Sequence, residues 1–251
     1  MTTITLITVT FNAEKTLERT LQSVENQSYR HVQHIIKDGG SKDATVAIAE
    51  AYRQRNPEAD IKVVSEPDKG LYDAMNTAIG MVTGQYVCFL NAGDTLHDCD
   101  TLKHLVEALP EGIEAGVIYG DTDIVDDEGR FIRKRRLSPP EHLNSGCFRH
   151  GMMVCHQAFY ANRKIIPLYD TNYRFSADFD WCIKIMKEAE KRSMPMVNTN
   201  MVLANYLSEG MTTRNHKASL RERFRIMVNH WGWISTITYH IWFVIRGVIK
   251  K

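Results

Sequence analysis

Residues 61–94 read IKVVSEPDKGLYDAMNTAIGMVTGQYVCFLNAGD. Ile61 to Ser65 has the length and β-branching of a strand. Leu71, Met75, Ala78, Ile79 and Val82 recur at helical spacing, and Tyr86 to Leu90 is a second apolar run of strand length. A strand, a helix and a strand on short connections place the two strands parallel in one sheet. The same alternation runs upstream. Ile4 to Thr10 is apolar and β-branched, as in a strand covered on both faces. Leu17, Leu21 and Val24 mark a helix after Asn12. His34 to Lys37 is a short strand that stops at Asp38-Gly39-Gly40-Ser41. Ser41 is placed to cap a helix carrying Ala44, Ile48, Ala51 and Tyr52. The prediction is an α/β fold, a Rossmann-like and mostly parallel sheet with helices on both faces. Ligands of such sheets bind at the carboxyl ends of strands, where the polar clusters after the second, third and fourth runs fall.

The second half is less regular. Val117 to Val125 and Arg130 to Arg135 read as strands about the turn Asp126-Asp127-Glu128-Gly129. Gly146 to Phe159 is apolar and Met-rich. Phe179, Cys182, Ile183 and Met186 put one face of a helix in the core, beginning just after Asp178. No repeat or flexible linker interrupts the chain, so one domain over residues 1–215 and a helical tail over 216–251 is the economical division.

Composition narrows the function. With 43% hydrophobic and 24% charged residues the chain has an ordinary globular balance, and a formal net charge of +1 gives no global pull on nucleic acid. The five cysteines form no C-x-x-C pair, which fits reduced thiols in the cytosol. MTTITLITVT lacks a basic n-region and reads as a first strand rather than a leader. No G-x-G-x-x-G follows that strand, which excludes a nicotinamide-binding oxidoreductase of the Rossmann type.

Each polar cluster has a bland and a chemical reading. Asp38 with its glycines makes an ordinary turn, or presents a carboxylate to a nucleobase or ribose. Asp68 and Lys69 sit in a charged loop before a helix whose first turn carries Asp73 and, three residues on, Asn76. Asp94 leaves a buried strand in Asn91-Ala92-Gly93-Asp94, as either a turn residue or a ligand for a hard divalent cation. Asp178 and Asp180 suit a helix N-terminus on dipole grounds alone, and one of them is free to act as general base.

Order and spacing decide between these readings. ITLITVTFNAEKTLERTLQSV, HIIKDGGSKDAT, SEPDKGLYDAMNTAIGMVTGQYVCFLNAGD, HQAFY and FSADFDWCIKI follow one another as in the family 2 glycosyltransferases. The chain closely resembles these inverting enzymes of GT-A fold over roughly its first 100 residues, and again around His156 and Asp178. The resemblance implies that Thr8, Thr10 and Phe11 border the nucleotide and that Asp38 binds the base, uracil in a UDP-sugar. It implies that Asp68 and Lys69 line the donor pocket and that Asp73 and Asn76 lie near ribose or sugar. Asp94 would hold Mn²⁺ or Mg²⁺ on the diphosphate, with Asn91, His156 and Gln157 beside donor or metal. Asp178 would be the general base. Two positions depart from the family. Gly93 stands where an acidic residue is usual in the metal motif, as does Asn91, and Ala177 replaces a glutamate that often precedes the base.

The implied activity is a hexosyl- or N-acetylhexosaminyl-transfer from a nucleotide-sugar donor to a saccharide or a polyprenyl-diphosphate-linked acceptor in polysaccharide biosynthesis. The alternative is a nucleotide-sugar-binding protein of impaired catalysis. In the tail, Ile234, Ile237, Thr238, Ile241, Ile245 and Val248 share a helical face, broadened by Trp231, Trp233, Trp242 and Phe243 and ended by Arg246, Lys250 and Lys251. Such a face lies peripherally on an anionic membrane, or packs on the domain or on a second subunit in a homodimer. The expected location is cytoplasmic, at the inner face of the cell membrane. Arg133, Lys134, Arg135 and Arg136 form a basic run, solvated or in contact with a lipid-linked pyrophosphate.

Overall fold

The computed structural model describes residues 1–208 and 216–249, the side chains of residues 216, 244 and 246–249 excepted. The first half alternates as the periodicity requires: β1 Ile4–Thr10, α1 Leu17–Glu25, β2 Val32–Asp38, α2 Thr45–Arg55, β3 Asp60–Ser65, α3 Leu71–Ile79 and β4 Tyr86–Phe89. After the two-residue β5 Thr95–Leu96 and α4 Thr101–Glu107 come β6 Val117–Val125, β7 Phe131–Lys134 and β8 Phe159–Asn162. The chain then runs through α5 Ala177–Lys191, β9 Met196–Leu207 and α6 His216–Ile249.

One sheet gathers all nine strands of the described residues in the order β3-β2-β1-β4-β8-β6-β9-β5, with β7 added to β6. Its first four strands are parallel, and β8 joins antiparallel to both β4 and β6. Every residue of β1 is buried because both faces are covered. Ile4 and Leu6 face one cluster with Tyr86 and Cys88, while Ile7 and Val9 face the larger core under α3 and α5. That alternation is the period of two expected of a pleated strand.

Ser41 does not cap α2, because its hydroxyl is drawn to Asp38. Asp43 takes the capping role, its Oδ1 accepting from the Thr45 N–H at 3.0 Å. In α5 the buried residues include Phe179, Cys182, Ile183 and Met186. Trp181 stacks on Tyr169, which in turn stacks on Tyr72 of α3, at centroid separations of 5.0 and 5.3 Å. This aromatic column ties α3 and α5 together behind the cleft.

The last helix bends sharply at Gly232, with φ 80° and ψ 167°. Its first half is integral to the domain, for Ile226 and Met227 lie in the main core. Residues 209–215, where the sequence division falls, and Lys250 and Lys251 lie outside the described residues, as does the side chain of Arg246. No helix among the described residues is long and apolar enough to cross a membrane.

Candidate active site

A cleft of about 700 Å³ opens over the carboxyl ends of β1 and β4 and is closed on its far side by α5 and β9. It brings together Thr10, Phe11, Asp68, Asn91, Asp94, His156, Gln157 and Asp178 from the residues named on sequence grounds. They come from five separate segments, and the parallel strands deliver the first three.

At one end Phe11 stands 65% exposed, a flat apolar surface on which a planar base can stack. The floor beside it is Gly39, where an added Cβ would come within 2.5 Å of Asp68 Oδ2. A side chain at that position would displace the Asp68 carboxylate. Asp68 accepts from the Gly70 N–H at 2.9 Å and lies 3.8 Å from Lys37 Nζ. Lys37 is wholly buried and donates to the carbonyls of Asp38 and Glu66, each at 2.8 Å.

Asp38 is placed differently from the expectation. Its oxygens accept from Thr10 Oγ1 at 3.2 Å, Gly40 N and Ser41 N at 2.9 Å, Ser65 Oγ at 2.7 Å, and the Ser41 hydroxyl. Burial opposes its charge, but the Ser41, Ser65 and Gly40 donors outweigh burial and hold it below the usual carboxylate range. Five donors and no exposed surface leave it organising the turn behind the cleft rather than facing a base. Three other expectations move in the same way. Thr8 is buried between His34 Nε2 and the Leu90 carbonyl. Asn76 spends its amide on both backbone groups of Tyr169, at 2.7 and 3.0 Å. Asp73 accepts from the Lys69 N–H at 2.9 Å in the first turn of α3, and neither it nor Lys69 lines the cleft.

The Asn91–Asp94 turn forms the middle of the cleft. Asp94 is buried, with Oδ2 accepting from Gln157 Nε2 at 2.7 Å and Oδ1 from the Leu207 N–H at 2.9 Å. Burial pushes its carboxyl up to about 6. Asn91 donates to His156 Nε2 at 3.1 Å, so the imidazole proton sits on Nδ1, which lies 3.5 Å from Asp178 Oδ2. Asn91 Oδ1 is buried and has no hydrogen-bond partner among the described residues. Gly93 has φ +103°, and a Cβ there would stand 3.0 Å from Leu207 Cδ2, so this turn is built for glycine, not for a second acid.

Asp178 opens α5 from the opposite wall. Tyr72 donates its hydroxyl to Oδ1 at 3.2 Å. Burial raises the Asp178 carboxyl, but its bond to His156 and the nearby Arg223 charge outweigh this and bring it below the ordinary value. An ionised carboxylate therefore faces the cleft at neutral pH. Asp180 points away and pairs with Lys184 at 2.6 Å and His230 at 2.7 Å.

Among the described residues no cluster of three or more His, Cys, Asp or Glu makes a ready cation cage. The donor set nonetheless fits a hard ion that takes one carboxylate and completes its shell with substrate phosphate and water. Asp94 supplies the carboxylate, and Asn91 Oδ1, three residues away in the same turn, is an oxygen without a hydrogen-bond partner among the described residues.

Sequence reasoning did not single out Tyr72, Lys37, Arg174, Phe175 or Tyr206. The last three line the cleft from the irregular second half, where no spacing marks them. The basic run is also redistributed. Arg135 donates to the carbonyls of Met152 and Met153 and so braces the loop before His156.

A family model described as Glycosyl transferase family 2 matches residues 5–166. A PGL/p-HBAD biosynthesis glycosyltransferase of Mycobacterium tuberculosis is 30% identical over 182 residues, covering 71% of this chain and 68% of the relative. The amylovoran biosynthesis glycosyltransferase AmsB of Erwinia amylovora is 30% identical over 208 residues, covering 78% of this chain and 66% of AmsB. Among solved structures, S. aureus TarS 1–349 superposes with a TM-score of 0.66 at 16% identity over 90% of this chain, which spans 66% of that one. The mannosyltransferase PcManGT of Pyrobaculum calidifontis, solved with GDP-Man and Mn²⁺, gives 0.65 at 17% identity, covering 91% of this chain and 64% of PcManGT.

Proposed function

This chain belongs to glycosyl transferase family 2 and is a glycosyltransferase, and on that footing we propose that it inverts a sugar as it moves it from a nucleoside diphosphate to an acceptor hydroxyl, with Asp178 as the base. The observation that carries this reading is the opposition of Asp178, ionised on one wall, to the Asn91–Asp94 turn on the other.

The geometry supports one division of labour. The nucleoside end of the donor fits the surface of Phe11 and the polar edge at Asp68. Asn91 Oδ1 and Asp94 would hold Mg²⁺ or Mn²⁺, which when bound neutralises charge on the departing diphosphate. Gln157 and the Leu207 N–H keep the Asp94 oxygens aimed. Asp178 accepts the acceptor hydroxyl proton as the new bond to the anomeric carbon forms and the bond to the diphosphate oxygen breaks. The proton ends on the carboxylate and the electron pair on the nucleoside diphosphate. Attack from the wall opposite the leaving group inverts the anomeric centre. His156 orients Asp178 through Nδ1–H, and Tyr72 holds its other oxygen.

UDP-sugars are the favoured donors. TarS has been solved with UDP-GlcNAc and superposes with a TM-score of 0.65. The acceptor class is a saccharide or lipid-carried glycan of surface polysaccharide synthesis. The relatives named for amylovoran and for PGL/p-HBAD biosynthesis support that class.

The test is a panel of UDP- and GDP-sugars with Mn²⁺, scored by nucleoside diphosphate release, with the product anomer read by NMR. Release from one donor with inverted configuration is expected. Nucleotide binding with no release from any donor, acceptors supplied, would leave a binding protein of impaired catalysis. Retention of configuration would remove Asp178 from the role of base.

A further inference from the structure

From Trp231 to Ile245 the chain reads WGWISTITYHIWFVI, without one Asp, Glu, Lys or Arg. The bend at Gly232 folds this segment back on the first half of α6, where the Phe224 ring meets Trp233 and His240 at 5.6 and 4.9 Å. Thr236 is buried, and Tyr239 packs on the core with its ring 4.9 Å from that of His150. Those contacts use one side of the helix. On the other side Ile234, Ile237, Ile241 and Ile245 make a stripe at spacings of three and four residues, 86, 47, 56 and 44% exposed, with Trp233 and Trp242 beside it at 63 and 46%. A contiguous apolar stripe of this kind marks an interaction surface.

Charge identifies the occupant. On the first half of α6, Lys217, Arg221 and Arg225 are exposed at i, i+4 and i+8. Glu222 is the only acidic residue between 216 and 249, and its two oxygens are taken by the N–H groups of Arg174 and Phe175 at 2.9 and 2.8 Å. A second copy docked across a two-fold axis meets the same surface, which brings cations to cations with no free carboxylate between them. A bilayer of anionic lipid offers what this surface lacks, phosphate for the basic row and an acyl boundary for the stripe.

We propose that the bent α6 is an interfacial docking element that lies on an anionic membrane surface, with Ile234, Ile237, Ile241 and Ile245 toward the acyl boundary and Lys217, Arg221 and Arg225 at the headgroups. The same helix grips the segment leading into Asp178. Glu222 holds the backbone of residues 174 and 175, and Ser219 Oγ lies 2.8 Å from Ser176 Oγ. Docking therefore anchors the wall that carries Asp178, which by the proposed function is the acceptor side of the cleft. That link rests on the proposed function, whereas the docking surface does not.

The experiment is flotation of the full chain with vesicles of phosphatidylglycerol and phosphatidylcholine, against phosphatidylcholine alone, with tryptophan emission recorded. Binding to the anionic vesicles, a blue shift and weakening by salt are expected. Ile234→Glu with Ile241→Glu lowers partition about tenfold or more. Lys217→Gln and Arg221→Gln each lower it about fivefold. Melting temperatures and vesicle-free release of nucleoside diphosphate stay at the wild-type level. Absence of flotation on anionic vesicles overturns the proposal, as does equal flotation of the double isoleucine variant. A dimer in light scattering that this double variant converts to monomer, with no flotation, assigns the surface to a second copy instead. A chain that floats yet releases nothing from any donor sinks the transferase reading and leaves the docking surface standing.

Discussion

Asp94 and Asp178 share the cleft but are tuned in opposite directions. Asp178 gains more from His156 and Arg223 than it loses to burial, so it is ready to accept a proton across the neutral range. Asp94 is dominated by burial and sits near 6 against an ordinary value of 3.8. A raised carboxyl means that the folded protein holds a proton which the unfolded chain releases, so this group costs stability as pH rises from 3.8 through 6. Replacing it by Asn removes that cost. Asp94→Asn is expected to raise the melting temperature of the metal-free protein at neutral pH, by up to about 3 kcal/mol in stability, while abolishing the stabilisation given by Mn²⁺. Scanning calorimetry with and without the ion decides it. An Mn²⁺ response undiminished in the variant places the ion elsewhere. In the wild type, Mn²⁺ affinity is expected to weaken about tenfold per pH unit below about 6, where a proton competes for Asp94. Tyr72→Phe removes a donor from Asp178 and is expected to move the acid limb of the rate profile to higher pH. An unmoved limb would mean that Tyr72 only packs.

At the scale of elements, the strands and helices of the first half were legible because their periods are clean and each turn carries Gly, Asp or Asn. The cleft was legible where it is built from strand ends. Phe11, Asn91 and Asp94 project from β1 and β4 into the place where the fold leaves room for a ligand. Helix starts were less legible, because a polar side chain there has two possible employments. Asn76, one turn into α3, serves Tyr169, and even among the strand ends Asp38, the last residue of β2, serves its own turn. Asn76→Ala is accordingly expected to lower stability by about 1–3 kcal/mol and leave the donor KM unchanged. A raised KM with unchanged stability would return Asn76 to the donor site. The far wall was illegible for a different reason. Arg174, Phe175 and Tyr206 reach the cleft through loop geometry and the pairing of β9 with β6, and no local pattern encodes either.

Across the whole molecule, two buried groups set opposing pH slopes. His34 lies between Thr8 and Tyr52, with Nε2 3.0 Å from the Thr8 hydroxyl and Nδ1 3.1 Å from the Tyr52 hydroxyl. Burial drives it from 6.5 down to about 3. A depressed imidazole holds its full stabilisation above 6.5 and loses it as pH falls toward 3, at about 1.4 kcal/mol per unit. Asp94 contributes the opposite slope between 6 and 3.8. From these two groups together the wild type is expected to vary little in stability from pH 6 to 4. Denaturant titrations are expected to show His34→Gln gaining stability on acidification across that window and Asp94→Asn losing it. Parallel curves for all three proteins would show that neither group titrates as its burial dictates. The fold thus holds one neutral base and one costly acid beneath the same sheet. The acid lies at the cleft, and the base lies beside α2, held between the Thr8 and Tyr52 hydroxyls.

The most direct test of the central claim sets wild type beside Asp178→Asn, with the preferred donor, acceptor and Mn²⁺. Nucleoside diphosphate release and calorimetric binding of the nucleotide are measured on the same samples. Release is expected to fall about 10²–10⁴-fold while nucleotide binding holds at the wild-type level, because the proposed function puts Asp178 on the acceptor side of the cleft and the nucleoside at the Phe11 end. Undiminished release from Asp178→Asn, or loss of nucleotide binding with it, contradicts the account.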